Sequence, residues 1–168
     1  TGYRKLIATS EGQLLGKDDM LALYGDIVTS KRNSKTYKRK LVLRDNLINY
    51  YANQIDLTNV GAIVMERLKN VKHKSKYNNK VNDLISRWTY RPLLNKIKMI
   101  CEVNGIMFVD VPPAYTSQTC SSCGMLDRDG RQGDIFRCSH CSKEIDADYN
   151  ASINIRDKGV HSLLTTKS

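Results

Sequence analysis

Short apolar segments along the chain predict its strands. Residues 3–16 are rich in β-forming residues around a polar turn at 10–12, which is typical of a hairpin. Residues 60–65 and 106–111 are nearly continuous apolar runs, and such runs are typical of strands buried on both faces of a parallel sheet. A further short strand is expected near residues 27–28.

Longer stretches place their apolar residues at helical spacing. They predict helices over residues 31–57, 81–103 and 147–158. Pro92 lies inside the second of these and is expected to kink or split it, and Gly105 is expected to end it. Because strands and helices alternate along the chain, the sequence predicts an α/β fold.

Composition adds a strong positive charge to this picture. The 168 residues include 27 Lys and Arg against 17 Asp and Glu, which gives a formal net charge of +10. Such a surplus favours a polyanionic partner, with nucleic acid as the first to consider. There is no run of eighteen apolar residues and no secretory signal, so no membrane partner is expected. The chain opens without Met inside a predicted strand, and we expect it to be a trimmed chain.

Four of the five cysteines form two CxxC pairs that are separated by fourteen residues. Two such pairs are usual ligands of a structural Zn²⁺, and four thiolates leave the ion no open position for catalysis. Two redox-active pairs are the alternative, but they do not explain the paired spacing. The predicted zinc ligands are Cys120, Cys123, Cys138 and Cys141. His140 is expected to be a bystander, and Cys101 a buried apolar residue.

Two carboxylates are candidates for a metal site. Glu66 ends a predicted strand, and ligands of α/β sheets gather at the carboxyl ends of strands. Asp148 lies in the first turn of the last predicted helix, on the face that packs, and a hard divalent cation would explain a carboxylate there. The alternatives stay open: Asp148 or Asp146 could simply cap the helix, Glu66 could mark a solvent-exposed strand end, and Asp110 is an equal candidate by position.

Three motifs in the second half of the chain together resemble a known family. They are PAYTSQTCSSCG over 113–124, FRCSHC over 136–141 and DADYNASINI over 146–155. The combination is similar to the C-terminal nuclease half of the TnpB family, the transposon-encoded RNA-guided DNA nucleases, and to compact type V CRISPR effectors. The resemblance implies an α/β fold of the RNase H-like (RuvC) class, a mixed sheet flanked by helices with an inserted zinc-ribbon subdomain.

The resemblance also implies domain boundaries. The RuvC-like nuclease domain is expected over residues 1–113 and 146–158, without the start of its first strand. The zinc ribbon, which binds target nucleic acid in the family, is expected over 114–145, and a tail over 159–168. Residues 2–12 are similar to the end of the family's first catalytic segment, so the resemblance extends over essentially the whole chain.

The family's motifs assign the catalytic carboxylates. Glu66 would belong to the second segment and Asp148 to the third, with Asp146 as a non-catalytic neighbour. Arg67 is a departure, because the family more often has Asp or Asn after that glutamate. The aspartate of the first segment would immediately precede Thr1, so this chain alone is expected to be inactive. In the full-length enzyme these carboxylates would bind two Mg²⁺ and hydrolyse DNA phosphodiesters.

Two basic clusters are expected to contact nucleic-acid phosphates, which Lys and Arg bind independently of sequence. They comprise Lys31, Arg32, Lys35, Lys38, Arg39 and Lys40 in the first cluster, and Lys72, Lys74 and Lys76 in the second. A solvated helix face is the alternative for the first cluster. Tyr37 and Tyr77 could stack on bases, although packing is the more favoured role. Asn150 is expected to touch a metal-bound water or a phosphate, with a hydrogen bond inside the helix turn as its alternative.

The leading hypothesis is the nuclease core of an RNA-guided DNA endonuclease, with a DNA target and a guide RNA bound through the full-length protein. A nuclease-inactive fragment or guided DNA-binding module is the alternative, and an unguided RNase H-like nuclease or transposase is a weaker one. We expect the protein to act in the cytoplasm of a prokaryotic cell, or to come from its mobile element or phage, in association with the nucleoid.

Overall fold

A computed structural model of the protein describes residues 5–16, 18–68 and 90–165. It begins with the predicted hairpin, in which β1 (Ile7–Ala8) pairs antiparallel with β2 (Leu14–Leu15). Gly12 lies in the turn at φ 90°, a left-handed conformation that glycine adopts without strain. The hairpin prediction is confirmed over its described residues.

Helix α1 (Asp18–Thr29) occupies the segment in which a strand near residues 27–28 is predicted, so that prediction is wrong. Met20, Tyr24 and Ile27 are its buried residues, and their spacing of four and three positions puts them on one helical face. Two aspartates in its first turn interact favourably with the helix dipole. The helical period of the whole segment therefore outweighs the β propensity of two adjacent residues.

Helix α2 (Lys35–Ala52) lies within the predicted helical stretch 31–57. It begins after Ser34, whose side chain accepts the backbone N–H of Tyr37 at 3.1 Å. This bond satisfies one of the N–H groups that the first turn leaves without a partner in the helix. Ile48 and Ala52 face the core, while most basic residues of the helix lie on its exposed side.

Two parallel strands form the centre of the domain, as the apolar runs predict. β3 (Ala62–Glu66) pairs in parallel with β4 (Met107–Val111), and Glu66 lies opposite Val111 at the carboxyl ends. Two prolines follow β4 and end it, because proline has no backbone N–H for a further ladder bond. Both strand ends therefore meet at one edge of the sheet.

Helix α3 (Tyr90–Val103) precedes β4. Pro92 lies in the first described turn of this helix, so the predicted kink or split involves residues outside the described part of the chain and stays a prediction. Gly105 follows the helix at φ 64°, and the N–H of Ile106 donates to the carbonyl of Cys101 at 2.9 Å. The predicted helix end is confirmed. Residues 81–89, including the start of the predicted helix, lie outside the described residues.

The main core lies between the hairpin, one face of the strand pair and helices α1, α2 and α3. Ile63, Met65 and Phe108 are the partly buried residues that the strand pair contributes to it. Its buried members include Leu6, Met20, Ile48, Leu93, Ile97 and Cys101. Cys101 is thus a buried apolar residue of the core, as expected.

A small antiparallel sheet follows in the cysteine-rich segment. It consists of β5 (Arg131–Gln132), β6 (Ile135–Arg137) and β7 (Glu144–Asp146), in that order. Its buried cluster is small: Phe136 packs with Cys120, Cys138 and Ala147. So few apolar residues give this unit little stability of its own.

Helix α4 (Ala147–Thr165) closes the described chain. It continues through residues 159–165, so the predicted tail is wrong over that range. The physical reason is Gly159, which is buried against β3: a Cβ there would overlap the side chain of Val64. The packing gained by this close approach outweighs the poor helix propensity of glycine. Because strand side chains alternate, Val64 faces away from the main core, and α4 covers that other face of the strand pair.

The described chain is a mixture of helices and strands in which helices pack on both faces of a parallel strand pair, so the predicted α/β class is confirmed. None of the described helices combines the length and the apolar character that crossing a bilayer demands.

Candidate functional site

The four predicted zinc ligands come together. Their sulfur atoms all lie within 4.8 Å of one another, and the Cys120–Cys141 and Cys123–Cys138 pairs are each 3.7 Å apart. Four sulfurs about 2.3 Å from one tetrahedral zinc ion would be about 3.8 Å apart. A disulfide would need about 2.05 Å. The donor set and its spacing therefore fit zinc and exclude disulfides.

Backbone groups of the second CxxC turn favour thiolate at Cys138. The backbone N–H groups of Cys141 and His140 point at its sulfur and lower its pKa to about 7. The metal-binding group consists of cysteines alone, and the side chain of His140 is exposed. His140 thus contributes its backbone and not its ring to the site.

Asp127 braces the ribbon, and sequence reasoning missed it. Its Oδ2 accepts the backbone N–H of Ser139 at 2.7 Å, which joins the loop between the two CxxC turns to the second of them. This bond to Ser139 holds the pKa of Asp127 below its usual range. No local sequence pattern indicates this role, because its partner Ser139 lies twelve residues further along the chain.

A cleft of about 310 Å³ opens between the strand pair, the ribbon and α4. Glu66 and Asp148, the two predicted catalytic carboxylates, both line it. Glu66 comes from the last position of β3, and Asp148 from the first turn of α4. The other lining residues include Ala8, Thr116, Ser117, Arg131 and Ser152.

Glu66 is held at both its side chain and its backbone. The buried hydroxyl of Thr116 donates to Glu66 Oε1, and the phenol of Tyr90 donates to its carbonyl oxygen. Tyr90 is the first described residue of α3, so the bond ties that helix to the end of β3. Neither partner was predicted from the sequence.

Asp110 is excluded from the cleft by the alternation of strand side chains. It lies opposite Met65 in the parallel register, so it points to the face opposite Glu66. Arg67 follows Glu66 on that same opposite face and pairs with both carboxylate oxygens of Asp110. The hydrogen bond from Arg67 lowers the pKa of Asp110. The departure from the family at Arg67 thus has a local partner outside the cleft.

Asp148 lies beside two cations. Its side chain is 12% exposed, and its Oδ1 accepts from Arg131 Nη2 at 2.9 Å. The ammonium of Lys5 lies 4.0 Å from its Oδ2. Arg131 reaches it from β5 of the ribbon and Lys5 from the start of the hairpin, so three distant segments meet here. Lys5 and Arg131 were both missed from the sequence.

Asp146, and not Asp148, is the residue that caps the N-terminus of α4. Its Oδ1 accepts the backbone N–H groups of Asp148 at 3.0 Å and Tyr149 at 3.1 Å. Its Oδ2 pairs with Lys5, which is almost fully buried. Burial acts to raise the pKa of Asp146, but the hydrogen bonds from Lys5 and Tyr149 outweigh it and leave that pKa below its usual value.

Asn150 lies away from the cleft surface. It is fully buried, its Nδ2 donates to the Thr119 carbonyl at 2.8 Å, and its Oδ1 accepts the Ser121 N–H at 2.9 Å. Buried in this way, the side chain has no exposed surface to offer a phosphate. Asn150 instead ties α4 to the first CxxC turn.

The first basic cluster lies mostly on the exposed surface, around the start of α2. Lys31, Arg32, Lys35, Lys38 and Arg39 are exposed, and Lys40 is partly buried. Lys40 donates to the carbonyl of Asp26 at 2.9 Å and lies near its carboxylate. Tyr37 is buried, so it packs rather than offering a face for stacking. Lys72, Lys74, Lys76 and Tyr77 lie outside the described residues.

Comparisons with known proteins show which proteins the chain is similar to. The model of a family described as "Cas12f1-like, TNB domain" matches residues 90–155. A CRISPR-associated endodeoxyribonuclease Cas12f1 of Sulfoacidibacillus thermotolerans is 41% identical over 96 residues, which are 56% of this chain and 21% of that protein. A cryo-EM structure of a Cas12f1–sgRNA–target DNA complex matches with a TM-score of 0.64 at 27% identity, over 85% of this chain and 43% of that one. Together these matches support a TnpB-like protein that is related to the compact type V CRISPR effectors.

A second curated relative supports the same family. A TnpB-like protein of Aquifex aeolicus is 32% identical over 95 residues, which are 55% of this chain and 31% of that protein. The TnpB-like chain spans about a fifth to a third of the length of these two curated relatives. Its RuvC-like fold class with a zinc ribbon is confirmed by the structural match and the four-cysteine group.

Proposed function

We propose that this TnpB-like chain is the nuclease core of an RNA-guided DNA endonuclease. One observation carries the proposal: Glu66 and Asp148 line one cleft between the strand pair and the ribbon, although they are distant in sequence. The Cas12f1 relatives of the chain are named endodeoxyribonucleases, which supports the same activity for the full-length protein.

The donor set suits a hard divalent cation. Carboxylate oxygens are ligands that Mg²⁺ prefers, and Glu66 and Asp148 supply them from two sides of the cleft. A third carboxylate is proposed at the position immediately before Thr1. Two Mg²⁺ ions bound there would activate a water molecule and stabilise the leaving oxygen of the phosphodiester.

The cations of the cleft have their own part in this proposal. Arg131 lies in the cleft, and a guanidinium can bind two phosphate oxygens at once. We assign to it a contact with the scissile phosphate. Lys5 stays with Asp146, because it is almost fully buried and cannot reach a substrate. It holds the turn that carries Asp148.

DNA and RNA are the proposed partners of the full-length protein. A structural neighbour is a Cas12f1–sgRNA–target DNA complex, and the exposed residues of the first basic cluster suit phosphate contacts. Each phosphate contact that is lost lowers the dependence of log K on log salt by about 0.9 for duplex DNA. Changing Lys35, Lys38 and Arg39 to Gln is therefore expected to flatten that dependence.

We propose that the protein acts in the prokaryotic cytoplasm, where its DNA target is found.

The second candidate function is a guided DNA-binding module that does not cut. The observation that favours it is the pairing of Asp148 with Arg131 and the nearness of Lys5, because cations already neutralise that carboxylate. In this alternative the cleft would bind a phosphate without hydrolysing it.

Cleavage and binding assays on the full-length protein with its RNA separate the two candidates. With Mg²⁺ present, Glu66→Gln and Asp148→Asn are expected to abolish DNA cutting and leave target binding unchanged. Asp110→Asn is the matched control, because Asp110 is the last residue but one of the neighbouring strand and faces away from the cleft. Cutting that survives both changes overturns the site assignment, and a wild-type protein that binds its target without cutting favours the binding module.

A further inference from the structure

We propose that Thr116 is a positioning residue for Glu66, and that α4 holds Thr116 in place through Asn154. This inference rests on the proposed function, because it concerns how the carboxylate of Glu66 is presented to a divalent cation. It starts from the hydrogen bond between the Thr116 hydroxyl and Glu66 Oε1.

The hydroxyl of Thr116 has one proton and two acceptors within reach. Besides Glu66, the carbonyl oxygen of Pro113 lies 3.1 Å from Oγ1. An ionised carboxylate is the stronger acceptor, so the proton is donated to Glu66. The bond engages Oε1 and leaves Oε2 as the atom that meets a cation in the cleft. Thr116 is 2% exposed, so little water competes for this bond.

The backbone of Thr116 is fixed from α4. Asn154 Nδ2 donates to the Thr116 carbonyl at 2.9 Å and to the Thr119 carbonyl at 2.7 Å. One turn earlier on the helix, Asn150 binds Thr119 and Ser121. The two asparagines therefore clamp the loop that leads from Thr116 into the first CxxC turn. Tyr115, next to Thr116, has φ 63°, a conformation that a bulky residue keeps only when its surroundings hold it.

Helix α4 thus positions both sides of the cleft. It carries Asp148 in its first turn, and through Asn154 and Thr116 it sets the carboxylate of Glu66 on β3. Hydrogen bonds to metal-ligating carboxylates orient them, and their loss typically weakens metal binding by about 10- to 100-fold. The side chain of Thr116 is consequently expected to matter for metal affinity without contacting the metal.

The test compares three variants of the full-length protein. Thr116→Val removes the hydroxyl at nearly constant volume, Thr116→Ser keeps it, and Thr119→Val removes a hydroxyl of the same loop that bonds to the Tyr115 carbonyl and not to Glu66. Binding of Mn²⁺ is measured by electron paramagnetic resonance titration, and the Mg²⁺ concentration that gives half-maximal cutting is measured beside it. Zinc content and target binding report on the fold.

Thr116→Val is expected to weaken Mn²⁺ binding and to raise the half-saturating Mg²⁺ concentration, both by about 10-fold or more. Thr116→Ser should restore both, and Thr119→Val should match the wild type, with zinc content unchanged throughout. Wild-type Mn²⁺ affinity in Thr116→Val overturns the proposal. So does a parallel loss of zinc or of target binding, because Thr116 would then act on the fold as a whole.

Glu66→Gln separates this inference from the proposed function. If it loses Mn²⁺ binding and cutting while Thr116→Val behaves as wild type, the proposed function stands and the role of Thr116 is wrong. If Glu66→Gln keeps both, the site assignment itself fails, and the proposal for Thr116 fails with it.

Discussion

The zinc ribbon and the carboxylate cleft hold their ligand atoms in opposite ways. In the ribbon, four sulfurs already lie at distances that match one tetrahedral ion, and the surroundings add only backbone N–H groups. In the cleft, each carboxylate is engaged by protein groups: a hydroxyl on Glu66, and cations beside Asp148. The first arrangement suits an ion that stays. The second suits ions and phosphates that bind reversibly, because they must displace or share the protein groups that already bind these carboxylates.

The difference follows from what each unit needs from its ligand. The ribbon has a small apolar cluster around Phe136, so a zinc ion on its four cysteines would supply much of its folding energy. The cleft is built on the parallel strand pair, which packs against the main core on one face and α4 on the other. Its scaffold therefore stands without a metal.

Removing one thiolate should affect the ribbon most. Cys120→Ser is expected to lose zinc and unfold the ribbon, because structural zinc sites supply about 10–16 kcal/mol of apparent binding free energy. Zinc content and amide hydrogen exchange check this: protection should fall over 114–146 and persist in the strand pair. Cys101→Ala is the matched control and should keep its zinc. Ribbon amides that stay protected in Cys120→Ser would remove the contrast.

Breaking the ion pair between Lys5 and Asp146 comes next. Lys5→Met leaves a carboxylate that is 26% exposed without its cation, so the expected loss lies between the value of about 1 kcal/mol for a surface pair and that of about 3 kcal/mol for a fully buried one. Urea denaturation measures the loss. Lys40→Met is the control, since its partner Asp26 is exposed and such surface pairs contribute about 1 kcal/mol or less. If both variants lose the same free energy of unfolding, the burial of Lys5 does not strengthen its ion pair.

Two glycine substitutions test how closely α4 packs against β3. Gly159→Ala is expected to lower the melting temperature, because the new Cβ overlaps Val64 and overpacking costs about 1–3 kcal/mol. Gly25→Ala lies in helix α1, where a Cβ meets no atom within 4 Å, so the better helix propensity of alanine should raise it. A Gly159→Ala protein as stable as Gly25→Ala would contradict the close approach of α4 to β3.

The smallest expected effect is a pH dependence at Asp146. Its pKa is lower in the folded protein, so its charge stabilises the fold above the unfolded pKa of about 3.9, and this stabilisation is lost as the pH falls through the folded pKa. Asparagine keeps the helix cap but not the charge. The stability difference between wild type and Asp146→Asn should therefore be constant above about pH 5 and shrink below pH 4. Thermal melts across this range check it; a difference that does not shrink rules out the charge.

Local signals in the sequence were sufficient for much of this architecture. The two apolar runs predicted the parallel strands, and the CxxC spacing predicted the zinc ligands, because each depends on neighbouring residues. The strand predicted near residues 27–28 is wrong because that prediction rests on two β-branched residues alone and not on the hydrophobic period of the whole segment. Over Asp18–Thr29, the burial of three residues at helical spacing decided the outcome.

The cleft depends on contacts that no local pattern encodes. Glu66 is the last residue of β3 and Asp110 the last but one of β4, and they face opposite sides because the parallel register places Asp110 opposite Met65. Lys5 and Arg131 reach Asp148 from segments far away in the chain. The local sequence around Thr116 is that of an ordinary loop, and its bond to Asn154 forms only when α4 packs beside it. Such partners are fixed by tertiary packing, so the sequence alone could name the carboxylates but not what holds them.

The bond between Asn154 and the Thr116 carbonyl joins the entrance of the ribbon to the helix at its exit. The ribbon is therefore a loop whose two ends are fastened to each other on the nuclease side. The entropy of closing such a loop rises by only about 0.6 kcal/mol for each doubling of its length. A ribbon of another length can consequently be accommodated at little entropic cost, as long as it still brings Arg131 to Asp148. The clamp thus separates the length of the ribbon from the positions of Thr116 and Asn154.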